Sequence, residues 1–531
     1  MAIMDTSTGP DVSTAAVAVA VAAVMVSTLL WVALVQLVWR PYAAARAFGR
    51  QGIRGPAYRF LAGNIGEANA MRAAATALDR RSHDIIPRVL PHYHAWMSRY
   101  GKVFVSWTGP IPALCVGDYA MAKEILADRT GAYGKPDPGA AILALFGNGL
   151  VFLDGDDWAR HRRVVHPAFA MDKLKTMTGT MAACAREMIR AWEARAAANN
   201  PSGEIEIEVG NQFQELTADV ISHTAFGSSY LQGKEVFEAQ RELQAIAMAA
   251  LYSIRIPGIQ YIPTKSNVRR RRLEKKVRGT LMAMIHERQA AVAKEGKGYG
   301  NDLLGLMLEA NVAMCGGGNG ARRMTMDEIV DECKTFFFAG HDTTSHLLTW
   351  AMFLLGTHLD WQDRVREEVL RECGGEALPD GDVLGKLKLV TMVLYETLRL
   401  YSPVSMLVRM VTADANLSGI HVPKGTLAMI PVAILHRDVD AWGDDAGEFN
   451  PLRFRGGVNK AAAHAGALLA FSLGHRSCIG QDFALLEAKA MLAMILRRFA
   501  FEVSPEYVHA PLDFLTMQPQ CGLPMVLKLL D

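Results

Sequence analysis

Residues 471–480 read FSLGHRSCIG, and this stretch restricts the fold more than any other. A single cysteine, Cys478, stands among glycines, one arginine and apolar residues. Gly474 permits a backbone turn closed to residues with a Cβ, and lets the chain pass close to a flat surface. Residues 481–499 (QDFALLEAKAMLAMILRRF) then repeat apolar positions at helical spacing, so Cys478 lies at a helix N-terminus. That end of a helix favours a thiolate. Arg476, two residues before the sulfur, can give an anion a charge-assisted hydrogen bond. A merely structural cysteine, buried in a loop, needs none of this frame.

Phe471, Gly474, Arg476, Cys478 and Gly480 match the haem signature of the cytochromes P450, the haem-thiolate monooxygenases, and the chain resembles that family over nearly everything after its N-terminal segment. The resemblance implies that Cys478 is the axial ligand of a haem (iron protoporphyrin IX). Arg476 would meet a haem propionate, Phe471 would border the group, and Gly480 would leave room beside it. Backbone N–H groups aimed at the sulfur would tune its donor strength.

Three further motifs follow in the family's order. Trp158 and Arg162 are four apart, on one helix face, and match a WxxxR that holds a propionate. A basic surface helix with a packing tryptophan is the alternative for those residues alone. Thr325 with Glu328 is a capping box that starts a long helix through residue 355. Inside that helix, residues 339–344 (AGHDTT) spend helix propensity, since an interior glycine costs about 1 kcal/mol. Such local inconsistency is expected at functional sites. The motif resembles the family's oxygen-binding groove, in which Thr343 would protonate dioxygen and Asp342 would feed protons. Glu396 and Arg399 (YETLRL) are three apart and close enough to pair. The resemblance makes them a buried structural network with Arg453 of FNPLRF, although the family's usual glutamate before that arginine is Leu452 here. Arg409 would be another propionate contact.

Residues 15–39 form an apolar run long enough for a bilayer, which takes about 20 residues. No Lys or Arg precedes Arg40, whereas Arg40, Arg46, Arg50 and Arg54 follow, which puts the remaining chain in the cytosol. We divide the chain into a membrane anchor (1–40), a linker or hinge (41–56, with Gly55-Pro56) and one haem-binding domain (57–531). Net charge is +2, which argues against nucleic acid as a partner. Seven cysteines without a CxxC pair indicate neither a disulfide framework nor a zinc site. Residues 102–116 read as a hairpin around Gly109-Pro110, and 205–295 as helical. The basic run 269–278 reads as a solvated face, or as a contact for lipid or a redox partner. Gly316-Gly317-Gly318 marks a surface loop.

The expected fold is mostly α with a small β-rich lobe, one large domain with an N-terminal transmembrane helix. The resemblance implies a monooxygenase using O2, with electrons from NADPH through a membrane-bound NADPH–cytochrome P450 reductase, because the chain has no Rossmann fingerprint. It resembles most the plant microsomal clan that includes fatty-acid in-chain hydroxylases and enzymes modifying brassinosteroids, cytokinins and gibberellins. RQGIRGPAYRFLAGN and FFFAGHDTTSHLLTWAMFLL carry that likeness. The location implied is the endoplasmic reticulum membrane, single-pass. In-chain hydroxylation of a fatty acid is the leading reading, with a plant hormone as alternative. Residues 140–152, 404–408 and 514–517 would line an apolar cavity, with Lys135 or Arg409 meeting a carboxylate head. A non-catalytic haem or lipid-binding membrane protein is the rival of another class.

Overall fold

The computed structural model describes residues 14–530, apart from 77–83, 200–202, 228–229, 255–257, 297, 314–322 and 375–377. The glycine loop at 316–318 lies outside the described residues. One helix runs from Thr14–Leu34 through a π-helical turn at Val35–Trp39 into Arg40–Arg50. Its residues Ala16–Arg50 have a mean hydropathy of 2.5 over the best window, none of it buried, which is long and apolar enough to cross a membrane.

The linker expected from residue 41 is helical as far as Arg50. Its pattern is amphipathic: Pro41, Ala44 and Phe48 are buried while the arginines point outward. Phe48 is fully buried in an apolar cluster with Val105, Leu114 and Val116. The chain therefore locks onto the body before it reaches Gly55-Pro56. Gly55 itself must be glycine, because a Cβ there would collide with the Val105 carbonyl.

The hairpin forms as the alternation predicts, Val103–Thr108 against Ile111–Val116, antiparallel. It opens a five-stranded sheet completed by Leu427–Ile430, Leu407–Val411 and Tyr133–Gly134. The region expected to be helical from 205 starts instead with a strand, Glu204–Glu208, paired with Pro524–Leu529. Its sequence EIEIE buries Ile205 and Ile207 and exposes the intervening glutamates, a period of two that decides for strand.

The helical body packs around Met326–Thr357, the long helix, whose Thr325 capping box is present with both reciprocal bonds. From Ile329 to Gly356 it is buried on almost every side, so it is a core helix. Against it pack Val209–Phe226 and Gln481–Arg498, the helix that follows Cys478. A short hairpin, Pro511–Phe514 with Thr516–Pro519, also reaches it.

Replacing Phe48 with alanine should cost about 3 kcal/mol, the lower range for a fully buried phenylalanine, because the loss is confined to one docking contact. A lowered Tm of the purified full chain checks this; an unchanged Tm would mean that the 40–50 helix is not docked in solution.

Candidate active site

Cys478 sits at the end of a loop closed by its own N–H donating to the Phe471 carbonyl at 2.8 Å. Ser477 N–H donates to the Gly474 carbonyl, completing a short 3-10 turn, and Gln481 begins the helix three residues after the sulfur. Gly474 has φ 77°, and a Cβ there would strike the Leu126 backbone. Its close approach is therefore to the end of the Tyr119–Ala127 helix. Arg162 donates to the Ser477 carbonyl at 3.2 Å, which brings the Gly155–Val165 helix against the loop. Cys478 remains accessible although protein atoms surround it. Burial raises its thiol pKa, while the Gly480 N–H and the Arg162 cation pull it down.

Arg476 pairs with Asp154 at 2.6 Å, and its guanidinium lies over the Trp158 ring at 4.9 Å. The Trp158 ring meets His475 edge-on, with centroids 5.3 Å apart. Arg409 and Lys135 join this group, because the strand carrying Arg409 pairs with Tyr133–Gly134. Burial pushes Arg409 down to about 10, with the Arg476 cation adding to it. Lys135 is pushed well below its ordinary value by burial and then by Arg409 and Arg476. Three enclosed cations thus face one carboxylate, Asp154. Further negative charge beside such a cradle would stabilise it. Two carboxylates at the edge of a flat ring, above a cysteine that can ligate iron, fit that demand. Trp158, Arg162, Arg409, Arg476 and Cys478 are therefore brought together, and Lys135 and Asp154 join them without any motif marking them.

Glu396, Arg399 and Arg453 converge as well. Arg399 donates from Nε and Nη2 to the two Glu396 oxygens at 2.8 and 2.7 Å. It also donates to the carbonyls of His436, Ala446 and Glu448 at 2.6–2.9 Å. Both partners are fully buried. Arg453 lies 3.6 Å from Glu396 and pairs with Asp445 at 2.8 Å. Asp445 gives Arg453 a carboxylate where Leu452 cannot. His436, which no sequence pattern marks, accepts the Leu469 N–H at 2.8 Å on Nε2, so its Nδ1–H donates to the Arg399 carbonyl at 3.1 Å. The network thereby reaches the strand of chain two residues before Phe471.

On the long helix, Thr343 donates its hydroxyl to the Ala339 carbonyl at 2.7 Å. Asp342 is turned to another face, where Thr516 donates to it at 2.6 Å and His346 lies 3.9 Å away. The two residues share no hydrogen bond. A Cβ on Gly340 would meet Ile221 Cδ1 at 2.7 Å, so this glycine serves close helix packing. The basic run is largely consumed within the fold: Arg269 pairs with Glu242, Arg270 with Glu274, Lys276 with Glu235 and Arg278 with Asp327, while Arg271 donates to the carbonyls of Gln260 and Tyr261.

The cytochrome P450 family profile matches residues 81–523. The chain belongs to the cytochrome P450 family. It is 45% identical to cytochrome P450 709B1 of Arabidopsis thaliana over 93% of this chain and 95% of that one. It is 44% identical to cytochrome P450 734A6 of Oryza sativa subsp. japonica, over 95% and 94%. Cytochrome P450 CYP72A616 of Paris polyphylla is 42% identical over 96% and 98%. The fold is shared with retinoic acid bound cyanobacterial CYP120A1, at a TM-score of 0.70, 23% identity and 82% and 93% coverage. The protein is a monooxygenase, its cofactor is haem, and its electrons come from a redox partner.

Two outcomes follow from this P450 site. Arg399→Ala strands the Glu396 carboxylate in the core at a cost of about 3–5 kcal/mol. It should yield protein without haem, measured as the ratio of Soret to protein absorbance; a normal ratio would overturn the role. For His436, burial, then the Arg399 cation, lowers the pKa to about 3 from 6.5. The folded chain keeps it neutral while the unfolded chain binds a proton below pH 6.5. Its contribution is complete above pH 6.5 and is lost toward pH 3, at up to about 1.4 kcal/mol per pH unit. The drop in Tm between pH 7.5 and 5 should shrink in His436→Gln.

Proposed function

We propose that the protein hydroxylates an aliphatic C–H bond in a neutral hydrophobic molecule of hormone size, fed by NADPH–cytochrome P450 reductase at the endoplasmic reticulum membrane. Residues 1–40 are the anchor and the body from 57 to 531 is cytosolic in this reading. The exposed apolar residues Ile259, Tyr261 and Ile262 suit a second, peripheral contact with lipid. Protease added to sealed microsomes should digest the body; protection would refute the topology.

Haem ligated by a thiolate supplies the oxidising chemistry, since the thiolate's electron donation favours O–O cleavage. In this proposal, the chain supplies the rest. Cys478 would provide the ligand, and Trp158, Arg162, Arg409 and Arg476, with Phe471 and Gly480, would hold the group. Thr343 keeps a hydroxyl proton on the Ala339 carbonyl, one turn back, available for dioxygen. Asp342, the acid expected to feed protons, is held by Thr516 on another face, so a proton passing from it to Thr343 would need a bridging group.

The observation that carries the substrate class is the position of Lys135 and Arg409. As residues at a channel entrance, they would meet a fatty-acid carboxylate. Both instead belong to the cradle with Arg476 and Asp154. A fatty acid then lacks the head-group contact that favours it, and the hormone-sized neutral substrate takes first place. In-chain oxidation of a fatty acid stays the second reading, supported by the apolar residues of Ala140–Phe146. Incubation of the full chain and reductase with a brassinosteroid and with lauric acid decides between them: hydroxylated laurate without steroid turnover reverses the order.

Thr343→Ala should bind haem and substrate normally and divert electrons to peroxide. The checks are NADPH consumed, product formed and peroxide released. Unchanged coupling would remove Thr343 from the proton path.

A further inference from the structure

Asp513 lies on the strand Pro511–Phe514, opposite Met517, in the hairpin whose tip reaches the long helix. That tip is fastened to the long helix at Asp342, next to Thr343 in sequence, because Thr516 donates to Asp342. Three other segments converge on Asp513. Arg72, from the Ile65–Ala75 helix, donates to the Asp513 carbonyl at 3.1 Å and stacks over the Tyr252 ring at 3.9 Å. Asn69, one turn earlier, donates to the Tyr252 carbonyl at 3.0 Å and fixes that ring's backbone. Ser405, buried in the segment after the Arg399 helix, gives its hydroxyl to the Asp513 carboxyl.

This group stands in apolar surroundings. Val404, Met406, Phe514 and Leu515 flank it in sequence, all of them partly accessible. Asp513 is surrounded by protein atoms yet is itself partly accessible. A carboxyl with this placement is not explained by stability. An apolar side chain would serve packing better, and the haem cradle does not use it.

We propose that Asp513, together with Ser405 and Arg72, is a recognition site for an uncharged hydroxyl group on the substrate, and that it selects neutral hydroxylated molecules against carboxylates. The proposal rests on the monooxygenase reading above. The Arg72 cation, bonded to the Asp513 carbonyl, partly offsets the charge of the carboxyl, so an incoming ammonium gains little attraction. An incoming carboxylate has no proton to give the Asp513 carboxyl, whereas a hydroxyl has one. A hydroxyl can donate to the carboxyl beside the bond that Ser405 already gives it. A site built to bond a hydroxyl also rejects the analogue that lacks it, because its own buried polar groups are then left unpaired.

The test uses the full chain with haem and substrate-binding difference spectra. The probes are dodecanol against dodecanoate, and a 3-hydroxysteroid against its 3-deoxy analogue. Wild type should bind the hydroxylated member of each pair more tightly. Asp513→Ala should weaken the hydroxylated members roughly tenfold, the scale of one lost hydrogen bond to a charged group, and leave the 3-deoxy steroid unchanged. It should also tighten dodecanoate. Asp513→Asn keeps the shape and loses the charge; it should bring back dodecanoate binding while retaining part of the hydroxyl preference, and it serves if the alanine variant fails to fold. Equal preference in wild type and variants overturns the proposal, as does a wild type that prefers dodecanoate or responds to no hydroxylated probe. The thiolate Soret band of the reduced carbon monoxide complex reports separately on the haem-thiolate reading, because Asp513 does not touch the Cys478 loop.

Discussion

The buried ion pair between Arg399 and Glu396 is the contact on which the rest of the site depends. A guanidinium has five N–H donors. All five are used here: two on Glu396 and three on backbone carbonyls of His436, Ala446 and Glu448. That completeness is what makes a fully buried charge tolerable, since desolvation otherwise outweighs the attraction. It also gives the pair its structural reach. Three carbonyls from the segment 436–448, on either side of the short Val439–Trp442 helix, are pinned to one helix. His436 then passes the constraint to Leu469, just ahead of Phe471. The loop holding Cys478 is thus positioned from both sides, by this network before it and by the Gln481–Arg498 helix after it.

The charge pattern around that loop has a single coherent explanation. Lys135, Arg409 and Arg476 against Asp154 leave a surplus of two positive charges in an enclosed place. Arg162 stands nearer the sulfur and pulls its pKa down. The surplus suits the two propionates of a haem. Burial makes each of these cations costly when alone, which is why their affinities for protons fall. The cradle suits an anionic partner, and in the proposed reading a substrate carboxylate would compete for the same cations.

How much was legible follows from how local each signal is. The Cys478 loop, the WxxxR pair, the capping box and the Glu396–Arg399 pair are spaced within one turn or one loop, so sequence carries them intact. The 103–116 hairpin was legible through its alternation, and the 204–208 strand would have been by the same rule had its five residues been weighed apart from the helices that follow. Long-range partners are another matter. His436, Asp154 and Lys135 have ordinary local contexts, and only the fold brings them to Arg399 and Arg476. The helical continuation through Arg50 was masked by its arginines, whose outward face hides the inward row of Pro41, Ala44 and Phe48. Gly340 had the right position for a groove, but its missing side chain is filled by Ile221.

The hairpin 511–519 links these parts in a way that bears on catalysis. Its single-residue turn puts Leu515 at φ 65°, a conformation a β-carbon disfavours by roughly 1 kcal/mol or more. Two contacts hold it there: Thr516 on Asp342, and the Met517 N–H on the Pro403 carbonyl at 2.9 Å. Met517 also accepts the Trp350 indole N–H at 2.9 Å, on the same long helix. A strained tip fastened at three points has few ways to yield. Whatever presses on Asp513 or Phe514 is therefore met at Asp342, one residue from Thr343. In the proposed reading, substrate recognition at the hairpin and proton handling on the long helix share one rigid element, so a poorly fitting substrate should disturb both together.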